Sequence, residues 1–181
     1  MKIIKTDIDG VVIIEPRVFV DARGYFFESF SHKLFTEKVA DTHFVQDNES
    51  RSSYGVVRGL HFQRPPFAQA KLVRVVKGRI LDVAVDIRKD SPTFGKYVAV
   101  ELSDENKRQI YIPHGFAHGL AVLSDEAILN YKCDNYYDSQ SEGSVLWSDP
   151  QLNIDWQLAI EDIILSEKDK ASPLLKDVVG F

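Results

Sequence analysis

GVVRGLHFQ, at residues 55–63, is a run of β-forming residues that carries an arginine and a histidine, and eight positions after it Lys71 opens a second apolar run. We interpret the two runs as neighbouring β-strands. Charged or titratable side chains are costly inside a sheet unless they meet a partner or a ligand. Arg58, His61 and Lys71 are therefore the first candidates for a functional site.

The spacing of these candidates leaves their orientation open. Arg58 and His61 have opposite parity, so an ideal strand would point them to opposite faces of the sheet. A bulge at Gly59 would bring both into one cavity, whereas a regular strand would leave His61 a satisfied interior residue and Arg58 a surface charge. Lys71 either faces the interior, where burial would lower its pKa and an anion would be needed, or keeps its amine in water at a sheet edge.

Short β-runs separated by turns continue along the chain. Residues 71–76 and 79–87 show the clearest alternation and predict a hairpin around Lys77-Gly78. Residues 44–48 predict a strand, followed by a turn-rich connection at 50–55. Further strands are predicted at residues 11–14, 18–20, 25–28, 97–102, 108–112, 119–123 and 127–132, a short helix at 31–39, and a helical turn or loop at 166–170.

This rhythm predicts an all-β fold. Many short strands, with almost no helical periodicity before about the last thirty residues, are typical of a sandwich or barrel with jelly-roll connections. The few short helices are expected mainly near the C-terminus. A barrel of this kind can enclose a pocket for a small ligand.

Length, charge and cysteine content exclude several classes of protein. The 181 residues predict a single domain over residues 1–181, because they suffice for one core but not for two full domains. A net charge of −5 argues against nucleic acid or an anionic membrane as a partner, since both need a basic surface. The single cysteine, Cys133, excludes an intrachain disulfide and a thiolate metal site. With no apolar leader and no run long enough to span a membrane, the sequence predicts a cytoplasmic protein.

A second motif invites a metal interpretation. Residues 113–118, PHGFAH, match the Pro-x-Gly-x-x-His pattern of the second cupin motif. His61 and His118 supply only two ligands, however, and metal sites of this kind use three or four. We therefore expect no metal, and expect His118 to hydrogen-bond a ligand oxygen or a neighbouring side chain.

Aromatic residues near the C-terminal strands are further candidates. Tyr131 has the parity of the apolar residues around it, so its hydroxyl points into the core, where a phenol normally finds a partner. Tyr136, Tyr137 and Trp147 flank a polar loop and either stack on a flat ring such as a nucleotide base or pack the barrel mouth. Cys133 lacks the basic neighbours that mark an activated nucleophile.

Taken together, these motifs resemble the dTDP-4-dehydrorhamnose 3,5-epimerase family. The resemblance runs from about residue 6 to residue 169, in the family's order and with matching gaps. Its segments are RGLHFQ (58–63), KLVRV (71–75), DIR (86–88), SPTFG (91–95), IPHGFAHG (112–119) and NYY (135–137). The family often has an acidic residue where this chain has His114.

The resemblance implies a homodimeric, cupin-like jelly roll that converts dTDP-4-dehydro-6-deoxy-glucose to the L-rhamnose precursor without metal or cofactor. It implies His61 as the general base and Asp169 as the residue that orients it. Lys71 would face the developing oxyanion, and Tyr131 would return the proton from the opposite face. The substrate contacts that it implies are Arg23 (reaching across the dimer from an N-terminal hairpin) and Arg58 at the diphosphate, Glu28, Gln46, Asp47 and Asn48 at the base and sugar, and His118, Tyr137, Glu142 and Lys168 around the rest of the pocket.

Three other functions stay open from the sequence. A relative that inverts only C3 or only C5, or that handles a different nucleotide sugar, would use the same base and acid. A sugar-nucleotide-binding protein without catalysis would keep the pocket. A metal-dependent cupin enzyme would use His61 and His118.

Overall fold

The computed structural model describes residues 1–178, and within them the chain forms thirteen β-strands and two short α-helices. The strands are β1 (Lys2–Lys5), β2 (Val12–Glu15), β3 (Phe19–Asp21), β4 (Gly24–Phe26), β5 (Gln46–Ser53), β6 (Val57–Gln63), β7 (Lys71–Lys77), β8 (Arg79–Asp86), β9 (Tyr97–Ser103), β10 (Gln109–Ile112), β11 (Phe116–Val122), β12 (Glu126–Cys133) and β13 (Glu142–Ser144).

Two antiparallel sheets enclose the core. The six-stranded sheet has the order β1-β2-β10-β7-β12-β5, and the five-stranded sheet has the order β13-β6-β11-β8-β9. β3 and β4 form a separate hairpin. Inward-facing apolar residues of both sheets, among them Val73, Val75, Ile80, Leu120 and Leu129, pack into one buried cluster. The predicted all-β jelly-roll fold is confirmed.

The helices lie outside the sheets. α1 (His32–Lys38) begins after Ser31, whose hydroxyl accepts a hydrogen bond from the backbone N–H of Leu34, and matches the helix predicted there. α2 (Glu167–Lys170) begins after Ser166, and single 3₁₀ turns at Ile160–Asp162 and Leu175–Asp177 flank it. Within the described part of the chain, no helix is long and apolar enough to cross a membrane.

The predicted hairpin of residues 71–87 is wrong. β7 pairs with β10 and β12, whereas β8 pairs with β11 and β9 in the other sheet. Gly78 (φ +82°) turns the chain from one sheet to the other, at a point where an added Cβ would lie 2.0 Å from the carbonyl oxygen of Glu126. Alternation indicates which side of a strand is buried but not which strand it pairs with. For the same reason the prediction that β6 and β7 are neighbouring strands is wrong. They lie in opposite sheets that face each other.

β5 is also longer than predicted. It continues through residues 50–53, where we expected turns, and pairs with β12 along its whole length, from Gln46 opposite Cys133 to Ser53 opposite Glu126. β5 is the last strand of its sheet, so its polar residues are tolerated. Polar edge strands lack the apolar alternation by which strands are predicted. β1 was not predicted.

Candidate active site

A cavity of about 360 Å³ opens between the two sheets. The six-stranded sheet contributes Lys71 from β7, Tyr131 from β12, and residues of β5. The five-stranded sheet contributes His61 from β6. The full lining is Gln46, Asn48, His61, Phe62, Gln63, Gln69, Lys71, Tyr131, Tyr137 and Glu142. Thus the structure brings three of the four residues named for catalysis into one cavity, and the fourth, Asp169, contacts His61 from behind.

A β-bulge directs His61 into this space. Arg58 pairs with Leu120 and His61 pairs with His118, so three steps along β6 match two along β11. Gly59 sits in the bulge with φ +120°, and a Cβ there would lie 2.6 Å from the Cα of Gly119. Of the two arrangements that the sequence left open, the structure has the bulge. Arg58 is exposed and is not among the residues that line the cavity, although its Nε donates to Ser52 Oγ on the opposite sheet at 3.0 Å.

His61 forms a short hydrogen bond with Asp169, 108 residues away in the sequence. The Nε2–Oδ1 distance is 2.6 Å, and Asp169 is only 3% exposed. The hydroxyl of Ser166 donates to the second carboxylate oxygen of Asp169 at 2.7 Å. Since a carboxylate accepts, Nε2 carries the hydrogen and the neutral ring keeps its lone pair on Nδ1.

Burial lowers the pKa of His61 below its ordinary value. The negative charge of Asp169 and the hydrogen bond to it raise the pKa, and the positive charges of Lys71 and Lys168 lower it again. The net direction is downward, so the imidazole is neutral at pH 7 and able to accept a proton.

Lys71 lies on a central strand, between β10 and β12, so it is not an edge lysine. Burial lowers its pKa, while Cys133, Asp82 and Glu142 oppose that shift electrostatically. Its ammonium lies 6.0 Å from the centre of the Tyr131 ring, and within residues 1–178 it has no hydrogen bond or ion pair. A partly buried ammonium that faces a cavity, with no hydrogen bond or ion pair among the described residues, is suited to receive a developing negative charge on a ligand.

The phenol of Tyr131 also faces the cavity without a hydrogen bond in the described part of the chain. Burial raises its pKa, so the group stays protonated at neutral pH and can donate. Burial likewise raises the pKa of Cys133, which leaves the thiol neutral and agrees with the prediction that it is not an activated nucleophile.

His118 is buried, and its Nε2 donates to Asp82 Oδ2 at 2.9 Å. The predicted contact with a neighbouring side chain is therefore present, although His118 is not among the residues that line the cavity. Among residues 1–178, no group of three or more His, Cys, Asp or Glu side chains is arranged to hold a metal ion. His61 and His118 are each bound to a carboxylate of their own.

Tyr137 and Glu142 line the cavity, and Lys168 lies beside it in contact with Glu142. Tyr137 is 58% exposed and its hydroxyl donates to Glu142 Oε2 at 3.2 Å. Lys168 forms an ion pair with the other oxygen of Glu142 at 2.5 Å. Trp147, in contrast, packs on the apolar cluster beneath the five-stranded sheet. A flat ring can therefore stack on Tyr137 at the entrance, while Glu142 and Lys168 fix the loop around it.

Asp47 does not line this cavity, and its contact with a substrate stays a prediction. It stands between Gln46 and Asn48 on β5, so its side chain points to the outer face of the sheet, where it pairs with Lys132 at 2.8 Å. Alternation along the strand places its two neighbours in the cavity and excludes Asp47.

Two other predicted residues are not brought to the cavity within one chain. Arg23 is exposed on the β3–β4 hairpin and paired with Asp21 at 2.5 Å. Glu28 lines a separate cavity beside the N-terminal strands. Their contact with a substrate across a dimer stays a prediction.

Sequence analysis missed three polar residues around the site. Gln63 and Gln69 line the cavity, and Asp82 lies behind it as the partner of His118. Gln63 shares the parity of His61 on β6, which is a usable signal. Asp82 lies in an apolar run on a strand of the five-stranded sheet, and nothing in that run indicates its partner.

Comparison with known proteins gives consistent matches over nearly the whole chain. The profile of a family described as dTDP-4-dehydrorhamnose 3,5-epimerase matches residues 5–177. The dTDP-4-dehydrorhamnose 3,5-epimerase of Shigella flexneri is 57% identical over 170 residues, which are 93% of each chain.

Solved structures match equally well. The dTDP-4-dehydrorhamnose 3,5-epimerase of Elizabethkingia anophelis has a TM-score of 0.93 at 55% identity, covering 98% of this chain and 97% of that one. The dTDP-6-deoxy-D-glucose-3,5-epimerase of Legionella pneumophila, solved in complex with dTDP-4-keto-L-rhamnose, has a TM-score of 0.95 at 53% identity, covering 98% of this chain and 94% of that one.

Proposed function

The chain belongs to the dTDP-4-dehydrorhamnose 3,5-epimerase family, and from this membership we propose that it inverts C3 and C5 of dTDP-4-dehydro-6-deoxy-D-glucose to give dTDP-4-dehydro-L-rhamnose. It is thus an isomerase. The observation that carries the proposal is the convergence of His61, Lys71 and Tyr131 on one cavity, with His61 bound to Asp169.

The reaction needs a base, a cation and an acid. The C4 ketone makes the hydrogens on C3 and C5 acidic, so a base on one face of the sugar ring removes a proton and leaves an enolate. We assign His61 as this base, because its imidazole is neutral and carries a lone pair. A positioned base of this kind is typically worth about 10²- to 10⁴-fold in rate. Asp169 orients the ring and stabilises the imidazolium that forms.

The enolate oxygen meets Lys71 in this proposal. A fixed cation beside an oxyanion in a water-poor cavity stabilises the transition state by about 2.7–4 kcal/mol, judged from the loss of comparable oxyanion donors. Tyr131 then delivers a proton from the opposite face, which inverts the carbon. Each inversion balances without a redox step, because His61 takes one proton and Tyr131 gives another. It leaves His61 protonated and Tyr131 deprotonated, so both groups exchange protons with solvent before the second carbon is inverted.

The nucleotide is bound at and beyond the cavity mouth. Arg58 and Arg23 suit the diphosphate, since a guanidinium binds phosphate oxygens in a bidentate way. Tyr137 suits stacking on the thymine ring. Gln46, Asn48 and Glu28 are assigned to the base and sugar, and His118, Glu142 and Lys168 to the surroundings of the sugar.

A homodimer is part of the proposal, because Arg23 and Glu28 reach no substrate within their own chain. The β3–β4 hairpin exposes Phe19, Val20 and Phe26, each at 50% or more, which suits burial against a partner. A single domain over residues 1–181 and a cytoplasmic location also stay predictions, and residues 179–181 lie outside the described part of the chain.

Hydrogen exchange tests the function directly. Incubated with dTDP-4-dehydro-6-deoxy-glucose in deuterated water, the protein is expected to label both C3 and C5 and to produce the L-configured sugar. Label at a single carbon would identify a single-position epimerase. Tight binding without any label would indicate a binding protein, and loss of activity after complete removal of metal would indicate a metal-dependent enzyme.

A further inference from the structure

Asp82 is a buried carboxylate that the reaction scheme leaves without a role. It lies on β8 with an exposed fraction of 0%, and its Oδ2 accepts from His118. Its Oδ1 is buried with no hydrogen-bond partner within residues 1–178. A half-satisfied buried carboxylate is costly, so its retention calls for an explanation.

The position of Asp82 connects it to both sides of the cavity. His118 is the direct cross-strand partner of the base, His61, on the five-stranded sheet. Asp82 has the parity of Ile80 and Ala84 on β8, which pack in one core cluster with Val73 of β7, and Lys71 has the parity of Val73. Asp82 and Lys71 therefore point into the same space between the sheets, where the charge of Asp82 raises the pKa of Lys71. The carboxylate therefore lies behind the cavity, within the field of its cation, yet is too deep to touch a substrate.

Few other charges balance Lys71. The groups that act on it are Asp82 from β8, Cys133 from β12 and Glu142 from β13, and its own charge acts on His61 from β6. The thiol of Cys133 is neutral, because burial raises its pKa. Glu142 is already paired with Lys168. Unlike Glu142, Asp82 is not paired with a lysine or an arginine, because its partner is His118.

We propose that Asp82 is a positioning residue of the epimerase: its buried carboxylate fixes the imidazole of His118 and balances the ammonium of Lys71. The proposal rests on the proposed function. Burial alone disfavours a charged Lys71, and a neutral amine would stabilise an enolate poorly. Asp82 offsets part of that cost before the substrate arrives.

Asp82→Asn tests the proposal, since it keeps the shape of the side chain and removes the charge. We expect kcat for the full epimerisation to fall about ten- to a hundredfold, with KM within about threefold. The alkaline limb of the kcat profile, where Lys71 loses its proton, should move to lower pH, because removing an anion lowers the pKa of a nearby ammonium.

Asp86→Asn is the matched control. Asp86 lies on the same strand and is equally buried, but it is held by Arg88, Ser91 and Thr93, whereas Asp82 is held by His118. Its loss should lower the melting temperature without moving the alkaline limb.

If Asp82→Asn does not fold, Asp82→Ser, which removes the charge and leaves room for water, is measured in the same way. An alkaline limb unchanged from the wild type in either folded variant would overturn the proposal, as would a shift of the same size in Asp86→Asn. A wild-type protein without exchange would instead refute the proposed function.

Discussion

The hydrogen bond between Asp169 and His61 supports the sharpest prediction, for the variant Asp169→Asn. The two groups are 2.6 Å apart and Asp169 is 3% exposed, so the bond is charge-assisted and shielded from water. A hydrogen bond to a charged group is worth about 1.5–3 kcal/mol. If this stabilises the imidazolium in the transition state, its loss lowers kcat roughly 10- to 150-fold.

The same substitution should change the pH dependence in a defined direction. His61 works as a base in its neutral form, so the acid limb of kcat/KM follows its pKa. Asp169 raises that pKa against the effect of burial. Asp169→Asn should therefore move the acid limb to lower pH while the plateau falls.

The assay is solvent deuterium exchange at C3 and C5 between pH 5 and 9, with His114→Asn as the control. His114 forms a similar pair with Asp134 at 2.8 Å, away from the cavity, and its loss should leave the profile unchanged. An acid limb of Asp169→Asn that stays in place, or moves to higher pH, would refute the reasoning about His61.

Three further predictions concern single residues. His61→Asn should lower exchange at both carbons by at least about 10²-fold while the Kd for dTDP, measured by calorimetry, stays within a few-fold; an equal loss of binding would contradict its role as base. Tyr131→Phe should keep deuterium exchange on the face of His61 but lose inverted product in NMR spectra, and full inversion would remove Tyr131 as the acid. Gly59→Ala should lower the melting temperature and the activity together, because its φ of +120° and a Cβ 2.6 Å from Gly119 leave no room for a side chain; an unchanged melting temperature would contradict this.

Sequence patterns predicted the strands of this fold better than their partners. Alternation along residues 79–87 correctly indicated a buried strand, but β8 turned out to lie in the opposite sheet from β7. The partner of a strand depends on which distant strands lie next to it in the folded sheet, and a short apolar run does not indicate those partners. Turns were predicted for the polar second half of β5, and this prediction is wrong, because an edge strand does not need an apolar pattern to form.

The site was predictable to the extent that local geometry defines it. Parity and the presence of glycine made a bulge at Gly59 one of two possible arrangements, and the sequence did not decide between them. The contact between His61 and Asp169 followed only from family resemblance, because 108 residues separate them and α2 is a single turn. Parity alone places Asp47 on the other face of β5 from Gln46 and Asn48, so its contact with a substrate stays a prediction that the cavity does not support.

The double-sheet fold itself suits the chemistry of inversion. Epimerisation requires a proton to leave one face of a ring and return to the other, so the base and the acid must lie on opposite sides of a flat cavity. Here the proposed base, His61, belongs to the five-stranded sheet, and the proposed acid, Tyr131, belongs to the six-stranded sheet that faces it. A hairpin of β7 and β8, as first predicted, would have placed Lys71 in the same sheet as His61. The crossing at Gly78 puts it in the same sheet as Tyr131 instead, so in the proposed mechanism the cation and the acid approach the ring from the side opposite the base.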